Sequence, residues 1–467
     1  MGDKIEMLTS VDNEVKDMLI TVDKSFRKKY NLEPDFYVRV PGRVNLIGEH
    51  IDYCGYSVCP MAIKQCIVAA VKSRSDSSLI LSNHESAKYP DYSSKIGYLD
   101  VNKDSTTTGF GPRWHDYVLC GLKGVVESAN VAPTKGLIIH LYGNIPVASG
   151  LSSSSALVCC AALSLSVTLN LSPTKKNLAE KCAKAERYIG TEGGGMDQAI
   201  IFNAKRGTAS LISFDPLRLT EVQIPPACTF VIAQSMVQKN KAASNDFNSR
   251  VVECRLASLI IGKHYLKNWK KFPRLMDLQK ELKFDLGKML KVVQEVFHDG
   301  LYTKLEVCQI LDISEEELEN KFLTANTRHL NTFKLKPRVT HVFAEALRVD
   351  MFCSICDGAK SIDKLGRLMN ESHFSLKNLY ECSHVELEKL VTICSLNGAS
   401  GVRLTGAGWG GCVVALVPLA TAEEFVKSVK AAFYTGKVPA SVNIDDLIFI
   451  TKPHHGAAVF QSGAVDY

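Results

Sequence analysis

Apolar residues recur at helical spacing through residues 11–30, at Val15, Met18, Leu19, Val22 and Phe26, and basic residues follow them. That pattern predicts an amphipathic helix. The pattern then changes to short apolar runs at 36–40, 64–72 and 79–82, which predict strands. Residues 83–109 are polar and turn-rich, as in an irregular or hairpin region. Helical spacing returns from Trp114 to Val126, and 136–142 reads as a strand. A Ser/Gly-rich turn leads into a long apolar helix, and a second helix over 174–189 stops at Gly190. Further strands are predicted at 207–213 and 228–235. Residues 240–395 are mostly helical, with 264–335 resembling a helical insertion. Strands return at 402–417 and 446–451 around a glycine-rich turn.

Strand–helix alternation, a helical section and a return to strands predict an α+β fold in two lobes. Pro216, Pro225 and Pro226 punctuate the chain where the lobes would meet. The expected division is therefore 1–225 for the N-terminal domain and 226–467 for the C-terminal domain.

Composition narrows the class. Of 467 residues, 46% are hydrophobic and 22% charged, as in an ordinary globular protein. The net charge of +6 is a small excess without a basic stripe, so no nucleic-acid partner is expected. The apolar stretch 156–171 is broken by Ser164, Ser166 and Thr168 and is shorter than the ~20 residues of a membrane span. The opening MGDKIEMLTSVDNEV has no apolar run, so no signal peptide is expected. Scattered cysteines, 15 in number, fit reduced thiols and a cytoplasmic location.

Four segments carry candidate chemistry. PVASGLSSSSA at 146–156 lies between a strand and a helix, where small residues let a ligand approach and free N–H groups meet the positive end of the helix dipole. This is a candidate phosphate site; the plainer reading is a capped helix with spare serines. No G-x-x-x-x-G-K-[ST] loop occurs. LTGAGWGGC at 404–412 holds Gly406, Gly408 and Gly411 at G-x-G-x-x-G spacing, but a strand pattern follows it, so a dinucleotide site is rejected. It could lend backbone to a ligand or to a neighbouring loop. PGRVNLIGEHIDY at 41–53 concentrates Arg43, Glu49, His50 and Asp52, which suit sugar hydroxyls and a phosphoryl group, or else an internal ion-pair network. EGGGMDQ at 192–198 puts Asp197 just past a glycine turn, where it could accept a hydroxyl proton, and Glu186 precedes it as a possible Mg²⁺ carboxylate. Cys353 and Cys356 form a lone CxxC, better read as a helix face than as a zinc site.

Three of these segments occur in an order that resembles the GHMP kinase superfamily, galactokinase branch: PGRVNLIGEHIDYCGY at 41–56, GNIPVASGLSSSSA at 143–156 and RLTGAGWGGC at 403–412. YCGYSV at 53–58 and YIGTEGGGMDQ at 188–198 resemble the N-acetylgalactosamine kinase subgroup. The resemblance implies ATP-dependent phosphorylation of a C1 hydroxyl in a cleft between two lobes. It implies Asp197 as the base and Arg43 as the steadying cation. Glu49, His50, Asp52 and Gly195 would lie at the sugar. Gly150, Ser152, Ser153 and Ser154 would cradle the triphosphate, with Ser154 and Glu186 holding Mg²⁺. Trp114 and Tyr117 would line the adenine pocket, and Asn240 and Lys241 would approach the nucleotide. Phe247 stands where galactokinases carry a Tyr facing the sugar. An apolar ring there suits a 2-acetamido methyl, or is a plain packing exchange. The expectation is an N-acetylgalactosamine kinase acting as a monomer. The alternatives are galactokinase proper and a non-catalytic sugar and ATP sensor that grips a regulatory partner.

Overall fold

The computed structural model describes residues 4, 5, 7–101, 111–129, 135–239, 244–358, 361–439 and 442–465. A seven-stranded sheet forms in the order Met7–Leu8, Ala458–Gln461, Phe36–Ile47, Cys59–Arg74, Gly136–Gly143, Ser78–Asn83 and Tyr92–Lys95. Its central strands are apolar on both faces because both faces are covered. Tyr37, Val68, Ala70 and Ile138 pack with Val15, Leu19, Val22 and Phe26 of helix Asn13–Tyr30. Their neighbours Val38, Ala69, Val71 and Ile139 point the other way into the main core, where helix Ser153–Thr168 lies. The period-2 alternation of a strand thus sorts one run of residues between two layers.

A second, antiparallel sheet has the order Gly401–Thr405, Cys412–Pro418, Cys228–Gln234 and Ile448–Thr451. Helices Ile362–Ser375, Val385–Leu396 and Ala422–Val429 pack on it. The span 264–335 holds helices Leu275–Leu282, Leu286–Val296, Lys304–Leu311 and Glu315–Lys321. It also carries a small ribbon between Tyr302–Thr303 and Thr332–Phe333.

Several expectations need correction. The division at 225/226 assigns the whole C-terminal segment to the second lobe, but Ala458–Gln461 returns and pairs antiparallel with Phe36–Ile47. The strand expected at 36–40 runs on to Ile47, because an irregularity between Pro41 and Arg43 absorbs the proline and glycine. Part of the polar region past Asn83 forms strand Tyr92–Lys95, paired with Ser78–Asn83. Residues 102–110 lie outside the described residues. Helix Met196–Asn203 was not expected at all. Seven of its residues, Met196 to Phe202, are buried, so it has no polar face to reveal its period.

All fifteen cysteines are free and buried. Cys353 and Cys356 lie on helix Leu335–Asp357, and no His/Cys/Asp/Glu group among the described residues could hold a metal ion by itself. Among the described residues no helix is long and apolar enough to cross a membrane.

Candidate active site

The serine loop leaves strand Gly136–Gly143 and enters helix Ser153–Thr168 through three left-handed residues, Ala148 (φ 53°), Gly150 (φ 79°) and Ser152 (φ 62°). Alternating left-handed positions turn successive N–H groups toward one side, as in an anion nest. Ser152 stands at the N-cap, yet its side chain makes no capping bond, and its buried Oγ has no partner. Capping therefore does not explain the serines. Ser153 and Ser154 are half-buried and line the cleft.

The glycine turn is the loop's backing. A Cβ on Gly150 would sit 2.6 Å from Thr405 O, and one on Gly406 would sit 2.6 Å from Gly150 Cα. This close backbone approach is the reason for glycine at both positions. Of the turn, only Gly406 and Ala407 reach the cleft lining.

Arg43 and Asp197 meet beside this loop. Arg43 Nε donates to Asp197 Oδ1 at 2.7 Å, and Nη1 donates to Gly150 O at 2.5 Å. Arg43 N also donates to Leu151 O at 3.2 Å, so strand Phe36–Ile47 fixes the loop's height. Asp197 sits in the first turn of helix Met196–Asn203, where the helix dipole favours negative charge. Its Oδ2 accepts from Ser155 Oγ at 3.2 Å, and the same hydroxyl reaches Glu186 Oε1 at 2.8 Å. Gln198 Nε2 donates to Glu186 Oε2 at 2.5 Å.

One cleft of about 770 Å³ joins these groups, within the size range of small-molecule sites. Arg43, Glu49, His50, Asp52, Gly150, Ser152, Ser153, Ser154, Glu186, Gly195, Asp197, Phe247, Trp114 and Tyr117 all line it. Asn240 and Lys241 lie outside the described residues. The end beyond the serines is aromatic. Trp114 Nε1 donates to Pro90 O at 3.1 Å, and Tyr89 meets the indole edge-on. Tyr92 stacks on His115 there.

Comparison with known proteins decides the family. Residues 24–73 match the galactokinase galactose-binding signature, 116–205 the GHMP kinases N terminal domain and 343–435 the GHMP kinases C terminal domain. The chain is 39% identical to the Dictyostelium discoideum protein called galactokinase, over 94% of this chain and 93% of that one. It is 32% identical to the Saccharomyces cerevisiae galactokinase, over 94% of both chains. The chain belongs to the galactokinase branch of the GHMP kinase superfamily. It is a galactokinase-type sugar kinase. Lactococcus lactis galactokinase, solved with galactose, superposes with a TM-score of 0.71 at 25% identity, covering 94% of this chain and 99% of that one. Methanococcus jannaschii mevalonate kinase shares the fold, with a TM-score of 0.52 at 20% identity, covering 90% of this chain and 98% of that one.

In this galactokinase-branch site the signature's polar residues differ in what they leave open. Glu49 is buried and already bonded: Oε2 accepts from Arg403 Nη2 at 2.7 Å and from Asn45 Nδ2 at 3.1 Å, and Oε1 accepts from Gly406 N at 3.0 Å. His50 Nε2 lies 2.8 Å from Ala407 O and Nδ1 lies 2.9 Å from Tyr53 OH. Burial pushes the imidazole down to about 3, so it is neutral. Glu49 and His50 therefore build the cleft's wall as an internal network, which was the open alternative for this segment. Asp52 is half-buried, and its Oδ2 accepts from Met196 N at 3.4 Å. Phe247, at the start of helix Asp246–Tyr265, packs on the rings of His50 and Tyr53.

Sequence reasoning missed Ser155, Gln198, Arg403, Tyr53 and Tyr380. Ser155 and Arg403 lie inside quoted motifs, but their partners are 31 and 354 residues distant. The only signal for Arg403 was a lone cation opening the glycine segment.

Proposed function

We propose that the chain transfers the γ-phosphoryl group of ATP to the C1 hydroxyl of galactose, giving galactose 1-phosphate and ADP. The carrying observation is the Arg43–Asp197 pair seated against the serine loop inside one cleft. The aromatic end near Trp114 takes the adenine. The N–H groups at Gly150 to Ser154 and the unpartnered Ser152 hydroxyl take the phosphates.

Asp197 Oδ2 accepts the proton of the sugar's C1 hydroxyl as that oxygen bonds to the γ-phosphorus and the bond to the β-phosphate oxygen breaks, releasing ADP. Arg43 orients the carboxylate through Nε and offers Nη2 to the charge that builds on the transferred oxygens. The donors near Glu186 suit Mg²⁺, which binds mostly through phosphates and water and takes one or two protein oxygens. Glu186 and Ser154 would hold it, and bound there it would neutralise phosphate charge. The galactokinases among the relatives and the galactose-bound neighbour support galactose as the acceptor.

A second reading keeps the chemistry and changes the acceptor to N-acetylgalactosamine. Phe247 favours it, because its ring presents no hydroxyl to the cleft and can pack on a methyl. ADP release measured with MgATP and each sugar at matched concentrations separates the two. Galactose should win by tenfold or more, about 1.4 kcal/mol. A tenfold preference for the acetamido sugar moves the assignment to the second reading, and ADP release that ignores both sugars defeats both.

A further inference from the structure

We propose that Tyr380 is a positioning residue for the acceptor sugar, holding the Tyr53–His50–Phe247 wall of the cleft through a directed chain of hydrogen bonds. The inference rests on reading that wall as the acceptor end of the cleft.

Tyr380 closes a π-helical turn, Leu376–Tyr380, in the C-terminal lobe and is fully buried. It does not itself line the cleft. Its hydroxyl lies 2.6 Å from Tyr53 OH and 3.2 Å from Cys254 Sγ. The direction of the chain follows from its far end. Ala407 O can only accept, so His50 Nε2 carries the ring proton and Nδ1 must accept. Tyr53 OH therefore donates to Nδ1 at 2.9 Å, Tyr380 OH donates to Tyr53, and the Cys254 thiol donates to Tyr380.

His50 needs such support. Its backbone is left-handed at φ 63°, a conformation that a non-glycine residue keeps only when its surroundings over-determine it. The His50 and Tyr380 rings are 4.8 Å apart, and His341 packs 4.5 Å behind Tyr380. Arg250 Nε holds Tyr380 O at 2.8 Å from the helix that carries Phe247. The Tyr380 hydroxyl thus joins two segments of the wall, the one with Tyr53 and the helix that carries Cys254 and Phe247.

Steady-state kinetics with sugar and MgATP varied separately test this. Tyr380→Phe removes one oxygen atom and nothing that touches a substrate. Its sugar KM should rise about 3- to 10-fold, the worth of one hydrogen bond, with the ATP KM and kcat within about twofold of wild type. Tyr53→Phe should do the same, and the double variant should be no worse than the poorer single, since both cut one chain. An unchanged sugar KM, an equal rise in both KM values, or effects that multiply in the double variant would each overturn the proposal. A lowered melting temperature with an unchanged sugar KM would mean packing alone and also sink it. If the wild type releases no sugar-dependent ADP, the functional reading fails; a working wild type whose Tyr380→Phe variant keeps its sugar KM defeats only this inference.

Discussion

The loop at 148–154 and the wall at 45–53 face the same cleft but treat their polar groups in opposite ways. The loop leaves the Ser152 hydroxyl buried and unpartnered, and it holds three residues in left-handed backbone. In the wall, every Glu49 oxygen and both His50 ring nitrogens are bonded to protein. An unsatisfied polar group costs stability until a ligand completes it, whereas a satisfied network confers shape and rigidity. The loop is built to bind, and most of the wall is built to fit. The wall's exception is Asn45 Oδ1, buried and unpartnered like the Ser152 hydroxyl.

The largest expected effect separates chemistry from both regions. Asp197→Asn keeps the size of the side chain and a contact to Arg43 while removing the carboxylate that takes the proton. Turnover should fall about 100- to 10,000-fold, with nucleotide affinity held within a few-fold. Near-full turnover, measured by ADP release, would remove Asp197 from that role.

Arg403→Met breaks the wall's central ion pair. Arg403 is fully buried and donates to Glu49, to Asn45 O and to Ser372. Removing it strands a buried carboxylate, and unfolding free energy should drop by about 3–5 kcal/mol. Adding Glu49→Gln should recover part of that loss. Denaturant titration reads both values, and a loss under about 1 kcal/mol would mean the pair matters little to the fold.

Acid should attack the wall before the loop. Burial pushes His50 to about 3 and His341 to about 4, both below the ordinary histidine value. In each case the unfolded chain binds the proton more readily, so the stability from a neutral buried ring is present above about pH 6.5 and is lost as pH falls. Glu345 accepts from Gly48 N and Ser372 Oγ, linking helix Leu335–Asp357 to the wall. Burial alone would raise it, but Arg348, His341 and Arg403 outweigh that and hold it at about 2. Its contribution is therefore lost below about pH 4.5. Between pH 6.5 and about pH 4 each histidine should cost about 1.4 kcal/mol per pH unit. His341→Gln should flatten the slope of the urea midpoint against pH over that range, and an unchanged slope would count against it.

The fold was legible where side chains alternate in a regular period. Val15 to Phe26 marked their helix, and the strands at 36–40 and 64–72 stood out as apolar runs. Helix Met196–Asn203 stayed hidden because it is buried all round. The extension of a strand through Pro41 and Gly42 was hidden because the bulge depends on its partner strand. In the site, Arg43, Asp197 and the serines could be found because each belongs to a compact motif. Ser155 bonded to Glu186, or Arg403 to Glu49, could not, since such pairs exist only once distant segments meet.

The smallest effect is the sharpest test of the contrast between loop and wall. Ser152→Ala deletes a hydroxyl that has no protein partner and performs no cap. Were Ser152 structural, the variant would lose about 1 kcal/mol of stability, as lost caps do. Since the folded protein leaves that hydroxyl unbonded, the melting temperature should instead hold or rise slightly, because a desolvated polar group has been removed. The ATP KM should rise about 3- to 10-fold, the worth of one hydrogen bond to a phosphate oxygen, with the sugar KM unchanged. A stability loss with an unchanged ATP KM would reverse the contrast and make the serine loop as self-sufficient as the wall opposite it.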